Sequence, residues 1–364
     1  MPFYYGLKTR EPKPLKFSQE DRKRTAERLL LLREKLRGEV PSRTVSESLL
    51  LATWNIREFG SNKRSARLAE SLYYIAEIIS AFDIVAVQEV NADMAELERV
   101  MRILGRNWRY IATDVTEGAS GNRERLVFVY DSAKVTFQNI AGEIVLPEGS
   151  LVTDTKQFAR TPFMVAYQSG WFKFMLATVH IYYGKEGQNT PEFARRVAEI
   201  EKIALTIAER AKEDAQHRFV LLGDFNIVSP EHKTMEALRK QGYFIHPELM
   251  KKPSNYKRDM HYDQIAFRAK ADELLLGDGR VAADPAAKKN AGVFDFNQVV
   301  FTDSDFKVYK NTVKEQTKLD DSKLEKEYLS SWRTYQMSDH FPMWVEMKID
   351  FADRYLAKIV ESER

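Results

Sequence analysis

Eight residues carry groups able to do acid–base or metal chemistry, and each falls at one end or the other of a short apolar run: Asn55, Glu89, His180, Asp224, Asn226, Asp263, Asp339 and His340. The most telling stretch is Phe219-Val220-Leu221-Leu222-Gly223-Asp224-Phe225-Asn226. Its four leading apolar residues read as a strand buried on both faces. Gly223 lets the chain turn, and Asp224 and Asn226 follow at a spacing that points both the same way from an extended end. A carboxylate and an amide presented together at the lip of a hydrophobic strand suit a divalent cation and a phosphoryl oxygen. Alone, such a sequence is more often a strand followed by an Asx turn, and a lone strand-end histidine such as His180 is more often structural. The recurrence of the pattern along the chain is what argues for a site.

The elements that must position these groups follow from hydrophobic periodicity. A strand over 49–53 ends in Trp54-Asn55, and a helix over 64–82 places Leu68, Leu72, Ile75 and Ile79 on one face. A second buried strand over 83–89 ends in Gln88-Glu89, and Asp93 caps a helix carrying Leu97, Val100, Met101 and Leu104. Strands are expected over 110–113, 126–130, 135–140 and 163–168, with Glu124 and Arg160 just ahead of two of them. Another strand delivers His180, and a helix over 191–214 leads to the stretch ending at Asn226. Ser229-Pro230 opens a helix to residue 240, and a strand over 262–267 has Asp263 near its start. Residues 269–335 show no chemical motif beyond a charged, helix-prone segment over 314–327. Ser338-Asp339-His340 then precedes a last strand over 343–349 and a short terminal helix. Polar residues at strand ends in a strand–helix alternation are where layered α/β proteins build sites.

Composition narrows the chemistry. The chain has 364 residues and no cysteine, so disulfides, thiolate zinc centres and a cysteine nucleophile are excluded. The formal charge of +3 is uneven, because the first 37 residues hold +6 and the remainder −3. Within that basic arm, Ser18 and Asp21 read as a helix start and Gly38 as its end. Leu29, Leu32 and Leu36 form an apolar stripe, and Arg22, Lys23, Arg24, Arg28 and Arg33 are expected to face water. The charge fits a nucleic-acid grip; the leucines fit packing on the body. The expected division is an arm over 1–48, a catalytic body over 49–350 with 269–335 as an insertion or long connection, and a helix over 351–364. No apolar run reaches the length of a membrane span, and no apolar leader follows Met1. A cytoplasmic monomer without a membrane partner is the expectation.

Read together, Thr53-Trp54-Asn55, Gln88-Glu89, Gly223-Asp224-Phe225-Asn226 and Ser338-Asp339-His340 resemble the motifs of the endonuclease/exonuclease/phosphatase superfamily. The resemblance covers about residues 49–349 and implies a four-layer α/β/β/α sandwich of two mixed sheets, with Mg²⁺- or Mn²⁺-dependent phosphodiesterase or phosphatase activity. Deoxyribonuclease-I-like nucleases are most similar, through Glu124-Arg125, Arg160 and Tyr262-Asp263-Gln264-Ile265. The chain departs from them where Val90 is followed by Asn91 rather than a groove-binding arginine, and where Asn122 replaces a groove-contacting tyrosine.

The resemblance implies roles that phosphodiester hydrolysis also demands. Glu89, Asn55 and Asp339 would hold the cation. Asp263 would orient His340 as general base, and Glu124 would keep His180 protonated as general acid. Asp224, Asn226 and Arg160 would bind phosphate oxygens. The sequence leaves open which histidine is acid and which is base. The implied activity is a metal-dependent endonuclease acting on DNA and leaving a 5′-phosphate; the alternative is a phosphatase or phosphodiesterase on a phosphorylated small molecule or lipid headgroup.

Overall fold

Runs of apolar residues as long as those around Leu50 and Leu176 can be buried on both sides only inside a layered architecture. The computed structural model describes residues 2–8, 17–60, 66–115, 123–153, 157–185, 187–268 and 289–362. In it β1 (Ser48–Phe59) and β7 (Phe172–His180) each lie inside a six-stranded sheet. The first sheet runs β11 (Ala291–Val293), β12 (Met343–Lys348), β1, β2 (Ile84–Asn91), β4 (Glu124–Asp131), β3 (Trp108–Ala112). The second runs β5 (Thr136–Glu143), β6 (Phe163–Ser169), β7, β8 (Arg218–Asp224), β10 (Asp263–Arg268), β9 (Phe244–Ile245). With helices on the outer faces, this is the expected four-layer α/β/β/α sandwich. Asn122 and residues 269–288 lie outside the described residues.

Each sheet has one parallel pair, β1 with β2 and β7 with β8, and its other pairings are antiparallel. A parallel pair needs a crossover. These are supplied by α2 (Ala69–Ser80) and α4 (Pro191–Glu213). Both pairs end on the same rim of the sandwich. Between the sheets, Gln88 Nε2 donates to Thr53 Oγ1 at 3.1 Å and, across the interface, to Thr178 Oγ1 at 2.9 Å. The polar group nearest the site is thereby satisfied inside an apolar core, as burial requires.

Several expected helix boundaries are corrected, and the helix expected over 64–82 spans Ala69–Ser80. Helix α1 (Gln19–Glu39) has the capping box of Ser18 and Asp21 but runs through Gly38. It stops at Val40, which is extended, because Pro41 disfavours a helical conformation in the residue before it. Helix α5 (Lys233–Arg239) starts later than Ser229-Pro230, since His232 accepts from Thr234 N and makes itself the N-cap. Residues 314–327, expected as one helical segment, fall in two helices, Phe306–Thr317 and Asp321–Glu327, broken by Lys318 in the left-handed region.

The water-facing expectation for the arm's cations is also corrected for three of them. Leu29, Leu32 and Leu36 are buried as the spacing implied. Arg24 forks onto Glu70 at 2.8 and 3.1 Å, Arg33 pairs with Glu77 at 2.9 Å, and Arg28 pairs with Asp305. The flanking arc of α1 thus meets carboxylates of the body instead of solvent. At about 2 kcal/mol per buried leucine, deleting residues 1–37 is expected to cost several kcal/mol. It would also strand Glu70 and Glu77, which are buried. Thermal midpoint and hydrolytic rate should fall together; an unchanged midpoint would contradict the packing role.

Candidate active site

Strand register brings the predicted residues to one rim. His180 is the cross-strand partner of Asp224, and Asp263 faces Asp224 from the other side. In the other sheet Asn55 pairs with Gln88, beside Glu89. Here the register slips, between Asn55 and Phe59 against β2 and between Val87 and Val90 against β4. Glu58, Glu89 and Asn226 all adopt positive φ (43°, 61° and 53°), a region costly to residues with a Cβ. Gly223 could be nothing else: its φ is +132°, and a Cβ there would sit 2.2 Å from the Val179 carbonyl oxygen.

Two imidazole–carboxylate pairs result. His340 Nδ1 lies 2.8 Å from Asp263 Oδ2, and His180 Nδ1 lies 2.6 Å from Glu124 Oε1. Both Nε2 atoms approach Asp224 Oδ2, at 3.5 Å from His180 and 3.8 Å from His340. Burial alone would lower both imidazole pKa values. At His340 the Asp263 and Asp224 charges outweigh it and hold the group well above its ordinary value of 6.5. At His180 burial and the Arg160 charge oppose Glu124 and Asp224, and the net direction is still upward. Asp224 would be raised by burial, but the two imidazoles keep it below the usual range. Arg160 pairs through Nε with Glu124 and donates from Nη1 to the His180 carbonyl at 3.4 Å, so it braces the His180 pair. Asn226 donates its backbone N–H to Asp224 Oδ1 (2.9 Å) and its side-chain amide to the Ile181 carbonyl (2.8 Å), fixing the turn after β8.

The oxygen ligands for a cation gather around Asn55. Its Nδ2 donates to Glu89 Oε1 at 3.1 Å and to Asp224 Oδ2 at 2.9 Å, while its Oδ1 is buried without a hydrogen-bond partner. An amide that bridges two carboxylates through its nitrogen and keeps its own buried oxygen without a partner fits a hard divalent cation at that oxygen. The Glu89 carboxyl is pushed up by burial, eased by His180, and raised further by the Glu124 and Asp339 charges, a repulsion that a cation would relieve. The Asp339 carboxylate is partly exposed and lies 3.6 Å from Arg57 Nη1. Asn55 and Glu89 would form the centre of such a site.

Neighbouring residues of the motifs, and others that the sequence does not single out, complete the support. Ser338 Oγ donates to the Asn55 carbonyl at 2.6 Å and accepts from His340 N at 3.0 Å, and Trp54 Nε1 donates to the His340 carbonyl at 2.9 Å. The Ser338-Asp339-His340 segment is therefore tied to the strand end bearing Asn55. Glu58 N donates to Glu89 Oε2 at 3.0 Å, and the irregular end of β1 that holds Glu58 is clamped by Arg67. Arg67 Nη1 donates to the Glu58 carbonyl at 2.9 Å and to Glu96 Oε2 at 2.7 Å, while Glu96 Oε2 accepts from Gly60 N at 3.0 Å. Arg67→Met would leave Glu96 buried and unpaired, with an expected loss of about 3–5 kcal/mol. Urea unfolding reads this directly, and a wild-type midpoint would contradict it. The only sequence signal was position: Arg67 lies just ahead of α2 and Glu96 sits in the first turn of α3 (Ala95–Leu104).

The model of the Endonuclease/Exonuclease/phosphatase family matches residues 52–243. No curated protein matches the chain. Among solved structures, an endonuclease/exonuclease/phosphatase family protein from Bacteroides thetaiotaomicron is 18% identical, covering 84% of this chain and 97% of that one, with a TM-score of 0.51. The human nocturnin catalytic domain with bound sulfate is 13% identical over 82% of this chain and 94% of that one (TM-score 0.50). A mannosyl-6-phosphatase from Bacteroides thetaiotaomicron is 17% identical over 82% and 99% (TM-score 0.50). These likenesses are likenesses of fold. The family match spans more than half of the chain, and Asp263, Asp339 and His340 beyond its limits return to the same rim; the chain belongs to the endonuclease/exonuclease/phosphatase family.

Proposed function

We propose that this chain is a divalent-cation-dependent phosphodiesterase that cleaves nucleic acid, with DNA as substrate and 5′-phosphate ends as product. The observation that carries the reading is the convergence of His180 Nε2 and His340 Nε2 on one oxygen of Asp224, each ring held from behind by its own carboxylate. An ester with an alkoxide leaving group needs one group to take a proton from water and another to give one to the departing oxygen. Two imidazoles on a shared face meet that need. Nucleic acid is favoured by the deoxyribonuclease-I-like motifs at Glu124-Arg125, Arg160 and Tyr262-Asp263-Gln264-Ile265. The Tyr262 ring beside His340 (centroids 5.4 Å apart, planes at 32°) adds an aromatic face next to the reacting position.

In this reading, Asn55 and Glu89, with Asp339 nearby, would hold Mg²⁺ or Mn²⁺, which would supply charge neutralisation at the phosphate. His340, oriented by Asp263, takes the proton of the attacking water at Nε2. His180, oriented by Glu124, gives its Nε2 proton to the leaving oxygen. Asp224 orients the water between them, and Arg160 and Asn226 complete the phosphate-facing wall. The test is product analysis on DNA with Mg²⁺. Acid-soluble nucleotides with 5′-phosphate ends support the reading. Release of inorganic phosphate from a phosphomonoester, with DNA untouched, would replace it with the phosphatase reading.

A pH prediction follows from the His340 environment. A base acts only once deprotonated, and carboxylate contact holds His340 well above 6.5. The acid limb of the kcat/KM profile should therefore lie above that value. Asp263→Asn removes the raising charge and should move the limb to lower pH, whatever it does to the maximum rate. A limb that does not move would take His340 out of the base role.

A further inference from the structure

The pole of the sandwich opposite the histidines carries a second chemical surface. β7 and β8 are parallel, so their first residues lie roughly 25 Å from the His180–Asp224 end. There a cavity of about 340 Å³ is lined by Trp171, Lys173, Arg218, Arg354, Tyr355 and Lys358, with no carboxylate among its lining residues. Trp171, at the tip of the β6–β7 hairpin, is anchored by its N–H to the Ile349 carbonyl (3.0 Å), and its ring lies 5.6 Å from that of Tyr355.

Tyr355 belongs to the terminal helix Ala352–Ser362, which has no buried residue. Trp171, Tyr355, Leu356, Ile359 and Val360 are between 44% and 59% exposed. At about 100° per residue, Tyr355, Ile359, Leu356 and Val360 share one apolar arc. Arg354 and Lys358 lie beside it, toward the cavity, with Asp353 and Glu361 on the remaining polar arc.

Charge decides what covers this face. A second copy of the chain in a two-fold contact would set the same four cations against themselves. A nucleic-acid strand would use the cations and rings but leave Leu356, Ile359 and Val360 in water. An anionic bilayer uses all of them: cations on headgroup phosphates, tryptophan and tyrosine at the interface, and aliphatic side chains below it. We propose that this pole docks on an anionic lipid surface, with helix Ala352–Ser362 lying in the plane of the interface. None of the described helices is long and apolar enough to cross a membrane, so the attachment is peripheral. The catalytic rim then faces away from the bilayer, and the enzyme takes its substrate from solution instead of from the lipid beneath it.

Trp171 supplies the readout, because Trp54, Trp108, Trp332 and Trp344 are buried. The full chain is titrated with vesicles of phosphatidylcholine alone and of phosphatidylcholine mixed with phosphatidylglycerol, following tryptophan emission and vesicle flotation. The expected result is a blue shift and flotation with the anionic vesicles only, weakened by salt. Lys173→Ala with Arg218→Ala should lower partitioning roughly 30-fold. Leu356→Glu with Val360→Glu should abolish flotation while the melting temperature and hydrolysis of a soluble diester stay at wild-type values. Equal binding to both vesicle types, or wild-type binding by either double variant, would overturn the proposal. So would a Trp171 response to single-stranded oligonucleotide in place of vesicles, or self-association that Leu356→Glu with Val360→Glu removes.

Discussion

His180→Ala and His340→Ala are each expected to lower turnover on a phosphodiester by about 10²–10⁴-fold, the usual cost of a lost general acid or base. The expectation rests on geometry more than on residue type. Each ring is held at Nδ1 by a buried carboxylate, and each Nε2 faces the same Asp224 oxygen. Removing His340 leaves Asp263 buried without its imidazole and costs stability, so rates are compared where thermal unfolding shows both variants folded. The double variant should lose far less than the product of the two single losses, because both groups act in one transition state. Single-turnover rates on bis-p-nitrophenyl phosphate and on DNA measure this. Near-wild-type turnover by either variant removes that histidine from the chemistry.

Glu89→Gln is expected to be comparably severe, costing more than ~10² in activity at fixed Mg²⁺, since even supporting residues of metal sites cost 10–100-fold. The amide keeps the size of Glu89 but loses the charge that faces the Asn55 side chain. The loss should appear first as weaker metal affinity, read by calorimetric titration of Mn²⁺ into the protein without substrate. Raising the metal concentration should recover part of the rate. Unchanged Mn²⁺ affinity would show that the cation is held elsewhere.

The fold was legible because its strands are unusually apolar: Leu49, Leu50 and Leu51 in β1 and Val220, Leu221 and Leu222 in β8 are all buried, so each run could only be an interior strand. The strand-end polar residues stand out against that background, which makes Asn55, Glu89, His180, Asp224 and Asp263 recognisable from sequence alone. Helix ends were less legible. Gly38 and Ser229-Pro230 carry local stop and start signals, but Pro41 and His232 decide the boundaries through their own backbone constraints. Arg24, Arg28 and Arg33 read as solvated charges because their partners Glu70, Asp305 and Glu77 lie far off in sequence. Arg67 and Glu96 were invisible for the same reason: their value comes from a loop that three elements bring together.

Metal dependence is decided most directly by one measurement. The purified protein is stripped with EDTA, assayed on DNA and on bis-p-nitrophenyl phosphate, and assayed again after Mg²⁺ or Mn²⁺ is added. The carboxylate of Glu89 and the unpartnered amide oxygen of Asn55 predict no detectable hydrolysis of either substrate in EDTA and recovery of both with either cation. Full activity in EDTA would contradict the central claim that these residues hold a cation on which the two histidine pairs depend.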